Sequence, residues 1–171
     1  MSGVCGIVNL DGAPVALDDV RRCVRMLARR GPDGAGAWAA GPCGLGHTRL
    51  DTTPEMLLEH LPLHDPASGC AITADVRLDN RAELLACLRL SDRSSGLSDA
   101  GVVLAAYLAW GDACVERFLG DFCFAIWDPR QQRLWCARDH FGLRPFYYHH
   151  APGRFLAFAS EPRAISQPSA A

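Results

Sequence analysis

Six consecutive apolar residues, Phe122-Cys123-Phe124-Ala125-Ile126-Trp127, constrain this chain more than any other stretch. A strand that alternates apolar and polar residues can leave one face in water, but this one needs cover on both sides. A turn at Asp128-Pro129 follows, then a strand over Arg133 to Ala137, and strands Phe146 to His149 and Phe155 to Ala159 joined at Pro152-Gly153. Earlier in the chain, Cys5 to Leu10 and Cys70 to Ala74 are short apolar runs bounded by turn residues. Helices are expected in between. Val20, Cys23, Val24 and Leu27 recur at helical spacing opposite Arg21, Arg22, Arg25 and Arg29, and Arg30-Gly31-Pro32 stops that helix. A second starts at Asn80 with Glu83 in a capping-box arrangement and buries Leu84, Leu85 and Leu88. A third starts at Ser98 or Asp99, buries Val103, Ala106, Tyr107 and Trp110, and ends near Gly111. There are no internal repeats, and the order of elements calls for α and β in layers.

Composition bounds what such a fold can do. A chain of 171 residues fits one domain, expected over 1–165, with 166–171 as a loose tail. A net charge of -2 gives no reason to expect nucleic acid. All 17 basic residues are Arg, and the absence of Lys excludes Schiff-base or Ser-Lys chemistry. No stretch reaches the roughly 18 apolar residues of a membrane span. The eight cysteines lack the paired spacings of zinc sites, so no metal is expected, and with no secretion signal they read as reduced and mostly buried. A cytoplasmic location follows as the expectation.

Several places combine chemistry-bearing residues. Arg30-Gly31-Pro32-Asp33-Gly34 is a rigid turn with two charges, or simply a helix stop. Gly46-His47-Thr48-Arg49 ends a strand with a cation that either grips a carboxylate or is merely solvated. Asp139-His140-Phe141-Gly142-Leu143-Arg144-Pro145 reads as a salt-bridged turn or as a metal or triad loop. Cys5 is either a buried strand cysteine or a nucleophile whose thiol proton passes to an α-amino group.

In order along the chain, Cys5-Gly6-Ile7-Val8, Arg30-Gly31-Pro32-Asp33-Gly34, Gly46-His47-Thr48-Arg49-Leu50, Ser98-Asp99, the segments 120–128 and 138–147, and Phe158-Ala159-Ser160-Glu161 resemble a known family. It is the class II glutamine amidotransferase domain of asparagine-synthetase-like enzymes. The resemblance implies an α+β, four-layer α/β/β/α sandwich of the N-terminal-nucleophile hydrolase type, here expected to lack its last strands. It implies a cysteine that releases ammonia from glutamine, at the position of Cys5. Arg49 takes the place of the residue that holds the glutamine α-carboxylate, and Asp99 that of the residue that holds its α-amino group. A synthetase domain outside this chain would use ATP and Mg²⁺. This domain itself would need no cofactor and bind glutamine or nothing, with a homodimer as one possible assembly.

Two departures stand out. Removing Met1 exposes Ser2, and only cleavage after Val4 would free the amine of Cys5. The family's Asn-Gly oxyanion pair falls at Asp75-Val76, and neither Asn9 nor Asn80 precedes Gly. Losing one oxyanion donor typically costs about 10²–10³ in rate. Both departures are similar to those of lasso-peptide cyclases and β-lactam synthetases, which activate a carboxylate for an amine already on the substrate. The expectation is a domain degenerate in glutamine hydrolysis and structural in role. The alternative is an active glutaminase that works through Cys5 after processing and serves asparagine synthesis.

Overall fold

The computed structural model of the chain describes residues 1–52 and 60–165, and the side chains of all of these but 93–95. The expected loose tail, 166–171, lies outside the described residues. Two antiparallel sheets are stacked face to face. The first takes β1 (Gly3–Asn9), β2 (Gly34–Ala40), β3 (Cys43–Arg49), β8 (Tyr147–Ala151) and β9 (Phe155–Ala159) in the order β2-β3-β1-β9-β8. The second takes β4 (Leu63–His64), β5 (Ala71–Leu78), β6 (Gly120–Asp128) and β7 (Arg133–Arg138) in sequential order. Helix α1 (Leu17–Met26) covers the outside of the first sheet, and α2 (Arg81–Cys87) and α3 (Asp99–Trp110) cover the outside of the second.

Strand alternation divides the interior into three cores. Phe122, Phe124 and Ile126 of β6 pack on the α3 side, while Cys123, Ala125 and Trp127 face the first sheet. The six-residue apolar run therefore serves two cores at once. On β1, Val4 and Val8 face the second sheet, and Cys5 and Ile7 face α1 with Val20, Cys23, Val24 and Leu27. On β5, Ile72, Ala74, Val76 and Leu78 face α3, whereas Ala71 faces the first sheet. Thr73 shares that inward parity and donates its hydroxyl to the Gly46 carbonyl at 2.9 Å, tying one sheet to the other.

The helix ends show which local signals held. Ser98 caps α3 by accepting from the Gly101 N–H at 3.2 Å, and Gly111 closes that helix at φ 62°, in the left-handed region glycine tolerates. The capping box expected at Asn80 does not form. Asn80 instead accepts from the Leu119 N–H at 3.1 Å and donates to the Arg117 carbonyl at 2.9 Å, and it meets Glu83 side chain to side chain, Nδ2 to Oε2 at 3.5 Å.

Candidate functional site

Where β1 begins, β3 ends and β5 passes beneath them, the polar residues of the interior converge. Gly3 pairs with Thr48, and continuing that register by one residue sets Ser2 opposite Arg49. Ser2 is 2% exposed. Its Oγ accepts from the Leu50 N–H at 3.2 Å, and its carbonyl accepts from Arg30 Nε at 3.0 Å. Gly31 allows this approach, because a Cβ there would lie 2.4 Å from the Thr48 carbonyl carbon. Arg30 also faces Glu161, at 3.9 Å.

Asp75 lies on the inward-facing parity of β5 and its side chain is 0% exposed. Arg144, from the loop before β8, donates to its Oδ1 at 3.0 Å. Burial raises the Asp75 pKa against the opposing pull of Arg144, the amino-terminal charge and Arg30. Those causes put the amino terminus and both guanidiniums within electrostatic reach of this carboxylate. His47 is buried beside the same sheet end, and burial together with Arg49 lowers its pKa to about 3, so its ring is neutral at pH 7. A cavity of about 390 Å³ opens next to it, lined by Gly34, Ala35, Gly36, His47, Arg49, His60 and Leu61.

The residues singled out from the sequence are dispersed rather than gathered. Arg49 borders the cavity, with Nε at 2.9 Å from Asp51 and Nη2 donating to the Asp33 carbonyl at 3.3 Å. Asp99 opens α3, accepts from the Leu78 N–H at 2.9 Å and pairs with Arg81 at 2.6 Å. Its charge is thus engaged by an internal cation. Val76 sits in mid-strand, its side chain buried under α3, and β5 pairs with β6 without interruption from Ala71 to Leu78.

Cys5 does not stand where the nucleophile position requires it. It faces α1, on the side of β1 opposite the inter-sheet space, and it is fully buried. A hydrogen bond with Cys23, then desolvation, pushes its thiol pKa well above the ordinary range, the reverse of what a thiolate nucleophile needs. The residue that the sequence reading passed over is Ser2. The signal was the even spacing of strand residues: Ser2 shares the face of Val4, and three residues on, Cys5 has the opposite one. The loop from Asp139 to Pro145 is a hydrogen-bonded turn. Asp139 Oδ1 accepts from the Gly142 N–H at 2.8 Å and Oδ2 from the Phe122 N–H at 3.2 Å. Among the described residues no group of three His, Cys, Asp or Glu side chains could hold a metal ion.

Two sheets between helical layers, with buried charges converging on the start of the first strand, define the class: an N-terminal-nucleophile hydrolase fold. Comparison with known proteins makes the assignment specific, because the model of the glutamine amidotransferase domain family matches residues 1–171 and the chain belongs to that family. It is 33% identical to "Asparagine synthetase [glutamine-hydrolyzing] 3" of Bacillus subtilis over 96% of this chain and 27% of that protein. It is 29% identical to "Amidase chry2" of Gibberella zeae over 91% of this chain and 25% of that one. Among solved structures, glutamine phosphoribosylpyrophosphate amidotransferase from B. subtilis, complexed with ADP and GMP, superposes with a TM-score of 0.71. That likeness covers 95% of this chain and 42% of the other at 20% identity, and it concerns the fold alone. The chain spans about a quarter of the length of the first two relatives. Among the described residues no helix is long and apolar enough to cross a membrane.

Proposed function

We propose that this chain is the amidotransferase-type domain of an asparagine-synthetase-like, ATP-dependent amide-bond-forming protein, and that it is degenerate in glutamine hydrolysis. Its role is then structural, as the domain against which a synthetase domain docks, whether covalently joined or not. The observation that carries this reading is the buried Asp75–Arg144 pair on the inward-facing side of β5, at the family's oxyanion position. A carboxylate there repels the negative charge that builds on an attacked amide oxygen, where backbone or amide donors would stabilise it. Cys5, the thiol of the alternative glutaminase reading, is on the wrong face and held protonated.

ATP and Mg²⁺ belong, on this reading, to the synthetase domain. An amine already present on the acceptor substrate replaces ammonia as the nucleophile toward the activated carboxylate. The test uses the full-length natural protein and follows glutamine consumption alongside amide formation. We expect product without ammonia release from glutamine, and no change on Cys5→Ala. Ammonia released in step with product would sink the degenerate reading.

A further inference from the structure

The loop that carries Arg144 is tightly held, yet it turns two large apolar side chains into solvent. Phe141 is 89% exposed and Leu143 58%, while the side chain of Arg144, next along the loop, is only 12% exposed. A single exposed leucine needs no explanation, but a phenylalanine and a leucine displayed together on a fixed loop are what an interaction surface looks like. We propose that Phe141 and Leu143 are the contact by which this domain docks on its synthetase domain, and that the buried Asp75–Arg144 pair is the brace that holds the loop in its docking shape. The inference rests on the reading of function above and names the surface that reading requires.

Both ends of the loop are anchored. At the start, Asp139 donates its N–H to the Phe122 carbonyl at 2.9 Å, and its carboxylate accepts from the Phe122 N–H at 3.2 Å and from the Gly142 N–H at 2.8 Å. Arg138 donates to the Gly142 carbonyl, and Gly142 turns at φ 63°, where a Cβ would lie 2.8 Å from the Arg138 guanidinium carbon. At the far end, Arg144 donates to Asp75 Oδ1 at 3.0 Å, and the Phe146 ring stacks on Phe158 with centroids 4.9 Å apart. Leu143 lies between these two anchors. A surface already fixed in its bound shape loses little freedom on association, which is the condition for a strong contact from few side chains. Asp75, at the family's oxyanion position, thereby gains a positioning role in place of a catalytic one.

Strand register shows what lies beside the loop. Cys123 pairs with both Asp75 and Arg138, and Ala159 pairs with both Cys5 and Tyr147. The loop therefore crosses from the second sheet to the first at the same end of the sandwich where β9 ends. Ser160 is tied there, its N–H donating to the Val4 carbonyl at 2.8 Å and its Oγ accepting from the Val4 N–H at 3.0 Å. Anything joined to this domain through residues 160–165 starts beside Phe141 and Leu143. The matched part is 27% of one relative and 25% of the other, so the partner on this reading is large beside this domain. Aromatic side chains seated at the centre of an interface carry a large share of its affinity.

Hydroxyl-radical footprinting of the full-length natural protein, with its synthetase domain, tests this side chain by side chain against the urea-unfolded protein as reference. We expect Phe141 and Leu143 to be shielded, and Leu10, exposed just past the other end of β1, to react freely. Truncating a central interface aromatic typically costs about tenfold or more in association. Phe141→Ser should therefore bring Leu143 up toward its unfolded rate and slow amide formation. Asp75→Asn leaves both apolar side chains in place but releases the brace, so it should unshield Phe141 and Leu143 while the core residue Phe124 stays shielded. Free reaction of Phe141 in the wild type would overturn the proposal, as would full shielding in Asp75→Asn. Shielding lost on dilution would assign the surface to a second copy of the chain and overturn it as well. If Asp75→Asn does not fold, reaction at Phe124 reveals it, and Arg144→Gln takes its place. Ammonia release from glutamine is a separate assay. An unshielded Phe141 without ammonia sinks this inference alone, whereas ammonia formed in step with product sinks the reading of function.

Discussion

Replacing Arg144 by methionine isolates the energetics of the buried pair. The substitution keeps most of the side-chain volume but removes the guanidinium 3.0 Å from a carboxylate whose side chain is 0% exposed. Breaking a buried ion pair from one side costs about 3–5 kcal/mol, because it strands a charge without its partner. The lower end applies here, since Arg30 and the amino terminus still act on Asp75. For a chain of this size each kcal/mol shifts Tm by roughly 2–4 °C, so Arg144→Met should melt about 6–12 °C lower at pH 8. The pH dependence fixes the cause. Burial raises the Asp75 pKa in the folded protein, and losing Arg144 raises it further, so the folded state of the variant binds a proton more tightly than the unfolded chain does. Stability then rises as pH falls through the folded pKa and is fully regained below the unfolded value of about 3.9. The deficit of Arg144→Met relative to wild type should accordingly shrink between pH 8 and pH 5. Adding Asp75→Asn should recover most of the loss, because neither member of the Arg144–Asp75 pair is then left charged without the other. Urea unfolding followed by circular dichroism reads all three proteins. A deficit independent of pH, or a double variant as unstable as the sum of the singles, would refute the argument.

Other substitutions probe neighbouring parts of the structure. His47 has its pKa lowered to about 3, so the folded state takes up its proton later than the unfolded chain does. Stability should fall by up to about 1.4 kcal/mol per pH unit as pH drops from roughly 6.5 toward 3, and His47→Phe should flatten that slope in an acid titration. Native thiol titration with a bulky disulfide reagent should modify the exposed Cys87 first, react slowly at Cys136, whose thiol desolvation pushes up to about 12, and spare Cys5; rapid loss of the Cys5 thiol would contradict its burial. Gly46→Ala would place a Cβ 2.5 Å from Val24 Cγ2 and 2.6 Å from Cys5 Sγ, so it should cost about 1–3 kcal/mol in denaturant unfolding. Ser98→Ala removes the cap of α3 and should cost about 1 kcal/mol; no measurable change would mean that the Gly101 N–H finds another acceptor.

The architecture was largely legible in the sequence because its signals are local and redundant. The helices were expected from Val20, Cys23, Val24 and Leu27, from Leu84 and Leu85, and from Val103, Ala106 and Tyr107, all of which are buried, while Leu88 and Trp110, expected with them, are only partly buried. The strand β2 was not anticipated. Gly34-Ala35-Gly36-Ala37-Trp38-Ala39-Ala40 has weak strand propensity and owes its conformation to pairing with β3 along its whole length. The extension of β5 through Asp75 and Val76 was hidden for a related reason. A charged residue ends an apolar run when read alone, but here Arg144, 69 positions away in sequence, meets the carboxylate.

The site was harder to read than the fold because strand function depends on parity as well as motif. Cys5-Gly6-Ile7-Val8 and Ser2-Gly3-Val4 both set a small polar residue before glycine and an aliphatic one, so spacing along the chain cannot choose between them. Register can. Val4 pairs with His47 and Cys5 with Gly46, and only the first of these pairs lies on the face that meets β5. An odd-numbered shift along a strand always exchanges faces, so the three residues from Ser2 to Cys5 lead out of the inter-sheet space and into the core under α1. The same parity places Thr73 and Asp75 of β5 inward and Val76 outward. Of the Asp75-Val76 pair, then, only Asp75 projects its side chain toward the first sheet. One strand face thus separates the two readings: Ser2, His47 and Asp75 lie on the inward parity of their strands, and Cys5 lies on the other face of β1.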